Sequence, residues 1–469
     1  MIADGPTLLD DVRAHALEAL RTAVPRSALR TDDESVRDRS VDSSFIPPDG
    51  APLCVVAPRT TAEVAAVLRV AHERGIPVVP QGGLTGLAGG ATAVEGCVLL
   101  DLSGMDAVLR VDPVDQVAVV QPGVITADLN RAVAEHGLFY PPDPASWDTC
   151  TIGGNVATNA GGMRCVKYGV TRDFVRTLEV VLADGTIVRT RPVTVKAVAG
   201  FDMTSLFVGS EGTLGVVTEV TVALLPAPGP VRGVSAGFPT VAAAMDAANA
   251  IMAGPHRPST LELLDAVVVA AVCRLTPDAG LPAGAGAWLL ALTDARVGAE
   301  DDLAEYQRVC AAHGATSIEV ADDEARVDGL LAARRRLNPA MREYRGASLN
   351  DDVSVPRTRL VEIFTRLAAL SAEIGLPIGT GGHVGDGNLH PVICYDPADP
   401  GEVARARSGH ERIMALAVEL GGTISGEHGI GTEKLAALDL ELSPRVRAVQ
   451  HALKSVLDPR GILNPGKKL

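Results

Sequence analysis

At 469 residues the chain is too long for one ordinary core and predicts two or more packed domains with room for an enclosed site. A formal net charge of −15 and a pI near 5.2 exclude the basic surface that neutralises phosphate backbones, so no nucleic-acid partner is expected. Seven cysteines between Cys54 and Cys394 form no C-x-x-C pair and fit the reduced thiols of a cytoplasmic protein better than a disulfide framework.

The first twenty residues, MIADGPTLLDDVRAHALEAL, lack the basic start and unbroken apolar run of a secretion signal and read as an amphipathic helix. Apolar runs such as AVVVAAVC (266–273) fall far short of the roughly 20 residues that span a bilayer, so no transmembrane segment is expected and any membrane association would be peripheral. After the Asp-rich stretch Thr31 to Ser44, LCVVAP reads as a buried strand. A helix follows over TTAEVAAVLRVAHERG, opened by Thr60 and Glu63 in capping-box spacing and stopped by Gly75. Strands are predicted at IPVVP, GCVLLDL and QVAVVQPG, and a helix at TADLNRAVAEHG. A hairpin is predicted over FVRTLEVVLADGTIVRT, with Asp184 and Gly185 supplying the positive φ angles of its turn. The proline-rich PAPGPVRG marks a boundary near residue 226. Beyond it, Ala- and Leu-rich helices (VAAAMDAANAIM, DDLAEYQRVCAAHG) alternate with short strands (GAWLLALT, ATSIEVA), so a sheet covered by helices is expected.

Three glycine-rich loops stand out in the first part. PQGGLTGLAGGA (80–91) follows a strand, and CTIGGNVATNAGG (150–162) and GSEGTLGVVTEV (209–220) have the same character. Such loops serve either as tight turns or as nests of N–H groups that let an anion approach without a Cβ in the way. Three together suggest an extended ligand, held otherwise than in a Rossmann domain, because neither a P-loop lysine motif nor a strand-to-helix G-x-G-x-x-G is present.

The ordered motifs PQGG-x-TG, PPDPAS, CTIGGN-x-ATNAGG and GSEGTLG-x-VTEV resemble the FAD domain of the vanillyl-alcohol-oxidase superfamily, the PCMH-type flavoproteins. GHVGDGNLHP, SGEHGIGTEK and LDPRGILNPGKK narrow the resemblance to its D-2-hydroxyacid dehydrogenases, among them D-lactate dehydrogenases and the D subunits of glycolate oxidases. The resemblance runs from about Ala51 to the C-terminus. It implies an α+β fold: a PCMH-type FAD-binding domain, an antiparallel-sheet substrate (cap) domain with flanking helices, and a C-terminal segment returning to the FAD domain. The corresponding divisions are an N-terminal helical segment 1–46, the FAD domain 47–226, the cap 227–424, and a segment 425–469 that completes the active site.

For the cofactor the resemblance implies a pyrophosphate on Gly82, Gly83, Leu84, Thr85 and Gly86, just after Pro80. It places the isoalloxazine near Pro142, Thr149, Gly153, Thr158, Asn159 and Gly162, and the adenine end along Glu211, Gly212, Gly215, Val216 and Val217. Some relatives bind flavin covalently through a His in the first loop; none lies between Pro80 and Ala91, so non-covalent FAD is expected. Cys150 matches the ordinary CTIGG of the family and reads as a packing residue.

The remaining chemistry lies late in the chain. His383 and His390 are seven apart, which in an unbroken strand would point them to opposite faces, so a turn at Gly385-Asp386-Gly387 must intervene if they are to meet. They could be metal ligands, bases or packed imidazoles. Glu427 and His428 follow some forty residues on, and two imidazoles with one carboxylate make a three-ligand set with a position left open. The resemblance places His383, His390 and Glu427 on a divalent metal and leaves His428 as catalytic base; zinc suits imidazole ligation, and manganese and iron are also compatible. It further implies a substrate arginine in ARRRLNPAMREYRG, at Arg334 or Arg335 depending on the branch used for spacing. The branch that oxidises D-2-hydroxyglutarate carries Lys, Thr and Asn where this chain has Asn350, Pro339 and Val392, so a lactate- or glycolate-like D-2-hydroxy acid is expected rather than a dicarboxylate. The electron acceptor stays open among a quinone, an electron-transfer flavoprotein, a cytochrome and oxygen; so do a homodimer and a role as the flavin-binding subunit of a larger oxidase. A zinc hydrolase built on the same His/His/Glu set would leave the glycine loops unexplained.

Overall fold

The computed structural model describes residues 8–44 and 46–469. The fold is α+β and divides into two compact units: residues 1–160, 170–227 and 427–469, and residues 161–169 with 228–426. The helix expected at the start runs Leu8–Ala23, and residues 1–7 of that reading lie outside the described residues.

Besides a two-stranded pair, Leu138–Phe139 with Leu225–Pro226, the first unit holds two larger sheets. In the smaller, strands Cys54–Val56, Val98–Asp101 and Val78–Gln81 run parallel, and Leu29–Arg30 adds an antiparallel edge. Helix Thr61–Arg74 covers it, with Val64, Val67, Leu68 and Ala71 packed beside Ala16 and Leu20 of the first helix. Thr60 accepts from the N–H of Glu63, and Gly75 ends the helix in the left-handed region at φ 67°. The larger sheet is antiparallel, in the order Val108–Asp112, Val117–Val120, Val216–Ala223, Val175–Val181, Ile187–Arg189. The hairpin forms as read, but only Gly185 takes a positive φ, 82°; Asp184 instead accepts the N–H of Thr186 at 2.9 Å. The turn is therefore not a two-residue Asp-Gly turn. The C-terminal segment returns to this unit, where Val78 donates to Ile462 and Asn464 to Val78, both at 2.8 Å.

The second unit is one antiparallel sheet in the order Ser317–Ala321, Arg232–Phe238, Ala287–Thr293, Thr260–Asp265, Ile378–His383, Asn388–Tyr395, Ala347–Asn350. Helices cover both faces, and the strand Ala287–Thr293 shows why its sequence is apolar throughout. Ala287, Leu289 and Ala291 enter one core with helices Val241–Ala253 and Leu360–Ile374; Trp288, Leu290 and Leu292 enter the other with Ala266–Leu275 and Leu337–Arg345. The run AVVVAAVC is thus a core helix.

Candidate functional site

In the first unit the three glycine loops form one layer. A Cβ on Gly82 would lie 2.3 Å from Thr151 Oγ1, and one on Gly83 only 2.6 Å from the Thr149 carbonyl, so the first loop packs on the second only because both residues lack side chains. Thr151 caps the short helix Ile152–Thr158. The third loop docks on that helix: the N–H groups of Gly209 and Glu211 donate to Val156 and Ala157 at 2.8 Å. Leu84, Asn159 and Glu211, none of them glycine, hold φ of 58°, 56° and 53°, a cost of the kind that folds keep where a surface must have one shape.

The carbonyls of Gly82 and Leu84 accept from Arg39 at 3.3 Å and from Ser43 at 2.9 and 3.0 Å. Among the described residues, no protein acceptor takes the N–H groups of Gly83 to Gly86, which is what an anion-binding loop requires. These residues fit a pyrophosphate. At other expected positions, Gly153 abuts Pro122, Gly212 abuts Pro80, Gly215 abuts Val180, and Val216 is buried opposite Val181. Val217 pairs with Val180, Thr149 and Thr158 turn their hydroxyls to the carbonyls of Ser146 and Gly154, and Pro142 is buried. The Glu211 carboxylate accepts from the N–H groups of Ile430 and Gly431 at 2.9 and 2.8 Å and faces Lys468 at 3.2 Å, so it fastens the C-terminal segment. Cys150 is buried, and burial pushes its thiol pKa up, which keeps it an unreactive packing residue. Gly162 lies in the 161–169 segment, which belongs to the second unit.

In the second unit Ile378–His383 and Asn388–Tyr395 form a hairpin, with His383 opposite Asn388 and Gly381 opposite His390. The turn changes the parity, and the two imidazoles share one face. Gly387 turns at φ 95°, where a Cβ would strike the Val355 carbonyl at 2.2 Å. His383 Nε2 and His390 Nε2 face each other at 3.4 Å, and both rings are buried.

Glu262, which sequence reasoning passed over, stands opposite His383 in the next strand and is fully buried. Its Oε1 meets His383 Nδ1 at 2.5 Å and its Oε2 accepts from Arg334 Nε at 2.6 Å. Burial works against this carboxylate, but the neighbouring His383 and Arg334 outweigh it and hold its pKa below the usual range. An ionised carboxylate only accepts, so Nδ1 of His383 donates to Glu262, and Nε2 is the nitrogen left facing His390. The signal was an acid set between Leu261 and Leu263 in the middle of the strand Thr260–Asp265, where a buried charge demands partners. A second overlooked carboxylate, Asp352, is fully buried, accepts from Ser425 Oγ at 2.9 Å, and comes within 4.8 Å of a His390 ring nitrogen.

Helix Glu324–Arg335 separates the two candidate arginines: Arg334 is buried against Glu262, whereas Arg335, one position on, is exposed. Gly426 packs on Asn388 with no space for a Cβ, 2.3 Å from Asn388 Oδ1, and Glu427 and His428 are the next two residues. In that pair His428 Nε2 lies 4.0 Å from Glu427 Oε1, and both side chains keep partial exposure.

Sequence comparison matches residues 52–191 to an FAD binding domain and residues 227–468 to the family described as FAD linked oxidases, C-terminal domain. The chain belongs to the FAD-linked oxidases. This FAD-linked oxidase is 42% identical to glycolate oxidase subunit GlcD of Bacillus subtilis, over 89% of this chain and 88% of the relative. It is 36% identical to D-lactate dehydrogenase of Anaerostipes hadrus, over 97% of each. Among solved structures, p-cresol methylhydroxylase with substrate bound superposes with a TM-score of 0.79 at 18% identity, covering 99% of this chain and 98% of the other, which shows the PCMH-type fold. The resemblance read from the motifs is thereby borne out: the protein is an oxidoreductase that binds FAD. No helix among the described residues is long and apolar enough to cross a membrane.

Proposed function

We propose that this FAD-linked oxidase oxidises a small D-2-hydroxy acid, lactate- or glycolate-like, to the 2-oxo acid. The observation that carries this is the buried hairpin pair His383 and His390, with Glu262 fixing one imidazole and Arg334 bonded to the same carboxylate. The names of the relatives, glycolate oxidase subunit and D-lactate dehydrogenase, supply the substrate class.

In this reading non-covalent FAD lies on the three glycine loops, and His383, His390 and Glu427 hold a divalent ion, with zinc favoured by the imidazoles and manganese or iron also accommodated. When bound, FAD supplies the hydride acceptor and the ion a Lewis acid for the substrate hydroxyl. His428, partly exposed beside Glu427, takes the hydroxyl proton. Arg334 spends its Nε on Glu262 and keeps the two terminal nitrogens of its fork for the substrate carboxylate. Glu262 thus sets the angle of a metal ligand and of the carboxylate clamp at once. A second substrate carboxylate finds no cation at Asn350 or Pro339, and Val392 is packed into a core.

The test is replacement of His428 by Ala, which leaves FAD and metal content unchanged while anaerobic flavin reduction slows by roughly 100-fold or more, the scale of lost general-base help. Undiminished reduction would remove the residue from this role. A second reading, the flavin-binding subunit of a larger oxidase that passes electrons to a quinone, an electron-transfer flavoprotein or a cytochrome, draws on the relatives named as subunits. Turnover of the isolated chain with an artificial acceptor separates the two.

A further inference from the structure

Asp351 and Asp352 are adjacent acids, and neither has more than 1% exposure. Asn350 lies opposite Val392 and Val353 opposite Leu389, an unbroken register in which Asp351 falls opposite Pro391 and Asp352 opposite His390. The N–H of Asp351 donates to the Pro391 carbonyl at 2.9 Å, so the ladder continues through both acids. Residues opposite one another in an antiparallel pair share a face. Leu389 and Val353 enter the core with helix Leu360–Ile374, whereas Val392 enters the one with Ala266–Leu275. Asp352 therefore sides with His390. Asp351 takes the other face, where it meets Nε2 of His410, from the helix Pro400–Glu419, at 3.6 Å.

Strand order adds a direction. The strand Asn388–Tyr395 lies between Ile378–His383 on one side and Ala347–Asn350 with Val353–Ser354 on the other, so His383 and Asp352 flank His390 from opposite sides. Nε2 of His390 faces Nε2 of His383 at 3.4 Å, the separation of two nitrogens that each stand about 2.1 Å from one tetrahedral ion. A carboxylate oxygen of Asp352 lies within 4.8 Å of a His390 ring nitrogen. The layout repeats what surrounds His383. Glu262 approaches that ring from the strand on its far side, giving one oxygen to Nδ1 and the other to Arg334. Asp352 gives Oδ2 to Ser425 Oγ at 2.9 Å, and Ser425 is placed by Thr423, which exchanges backbone bonds with Ser354 at 2.9 and 3.3 Å. An imidazole that binds an ion is ordinarily oriented by a carboxylate or carbonyl at its other nitrogen, and that partner raises its basicity. We propose that Asp352 is the positioning residue of His390, as Glu262 is of His383, so that two carboxylate–histidine pairs aim their Nε2 atoms at one ion. This role rests on the metal reading given above and adds to it a residue that acts through His390 rather than on the ion.

A double-mutant cycle on zinc affinity, read by competition with a chelator in the FAD-loaded full chain, tests this. Asp352→Asn should weaken zinc by roughly tenfold or more, the scale on which orienting groups act, with about one ion still bound per chain at saturation. In a His390→Ala background the same change should alter affinity by less than about twofold, because the group it orients is gone. Where Asp352→Asn does not fold, Ser425→Ala replaces it in the cycle: loss of the hydroxyl on Oδ2 should weaken zinc by about fivefold, one hydrogen bond's worth, and again only while His390 is present. Wild-type affinity in the Asp352 variant overturns the proposal. So do equal losses in both backgrounds, the result expected of a residue that binds the ion itself or merely supports the fold. His383→Ala separates this from the reading beneath it. Zinc lost there but kept in Asp352→Asn strikes only the role of Asp352, whereas zinc binding indifferent to His383 removes the metal site and this role together.

Discussion

Glu262 carries the sharpest consequences of the site, because one carboxylate with no exposure holds both His383 and Arg334. Glu262→Gln loses the charge and presents an N–H where an acceptor is needed. Metal affinity should fall by roughly 10- to 100-fold, the cost of removing a group that orients a metal ligand, read by competition with a chelator. Unchanged affinity would detach Glu262 from the metal. The same pair ranks the two arginines. Arg334→Ala leaves a buried carboxylate short of a partner and should cost about 3–5 kcal/mol in denaturant unfolding, whereas Arg335→Ala on the exposed side should stay within about 0.5 kcal/mol. Equal effects would contradict the burial of Arg334. Sequence alone left these two side by side, since both lie in ARRRLNP and only the rotation of the helix decides which one turns inward.

The loops and the hairpin answer for what local pattern can reveal. Capping at Thr60 and Gly75 and the bend at Gly385 to Gly387 were legible because each rests on a few adjacent residues and their φ angles. Asp184-Gly185 misled because two-residue and bulged turns share that dipeptide, and the Asp184 carboxylate found the N–H of Thr186 instead. Glu262 and Asp352 were not legible as site residues, since their partners arrive through strand register and through Ser425, which lie far away in sequence. The glycine loops were legible as loops, but their mutual packing was not. Gly83→Ala tests that packing: its Cβ would press on the Thr149 carbonyl, and overpacking of this kind costs about 1–3 kcal/mol, so FAD affinity should drop roughly tenfold or more in a titration of apoprotein. Full affinity would mean that the loop tolerates displacement.

At the scale of the molecule, length and the proline-rich stretch near residue 226 suggested two parts, while the allocation of residues 161–169 to the second unit left no mark in composition. That segment is claimed by tertiary bonds such as Lys167 and Tyr168 to Asp294, which no local pattern announces. The return of the C-terminus is different: LDPRGILNPGKK is anchored by bonds from Asn464 to Glu211 and from Lys467 to Thr92 that are equally distant in sequence, but the motif that makes them was itself visible in the sequence. FAD binding and membership of the oxidase family follow from the whole chain, whereas the D-2-hydroxy acid and the metal rest on the hairpin site. The most direct measurement is anaerobic flavin reduction by D-lactate, L-lactate, glycolate and D-2-hydroxyglutarate, with elemental analysis of the same sample. The account predicts rapid bleaching by D-lactate or glycolate, little by L-lactate or the dicarboxylate, and about one divalent ion per chain. Bleaching by the L enantiomer at the same rate, or full activity in protein free of metal, would contradict it.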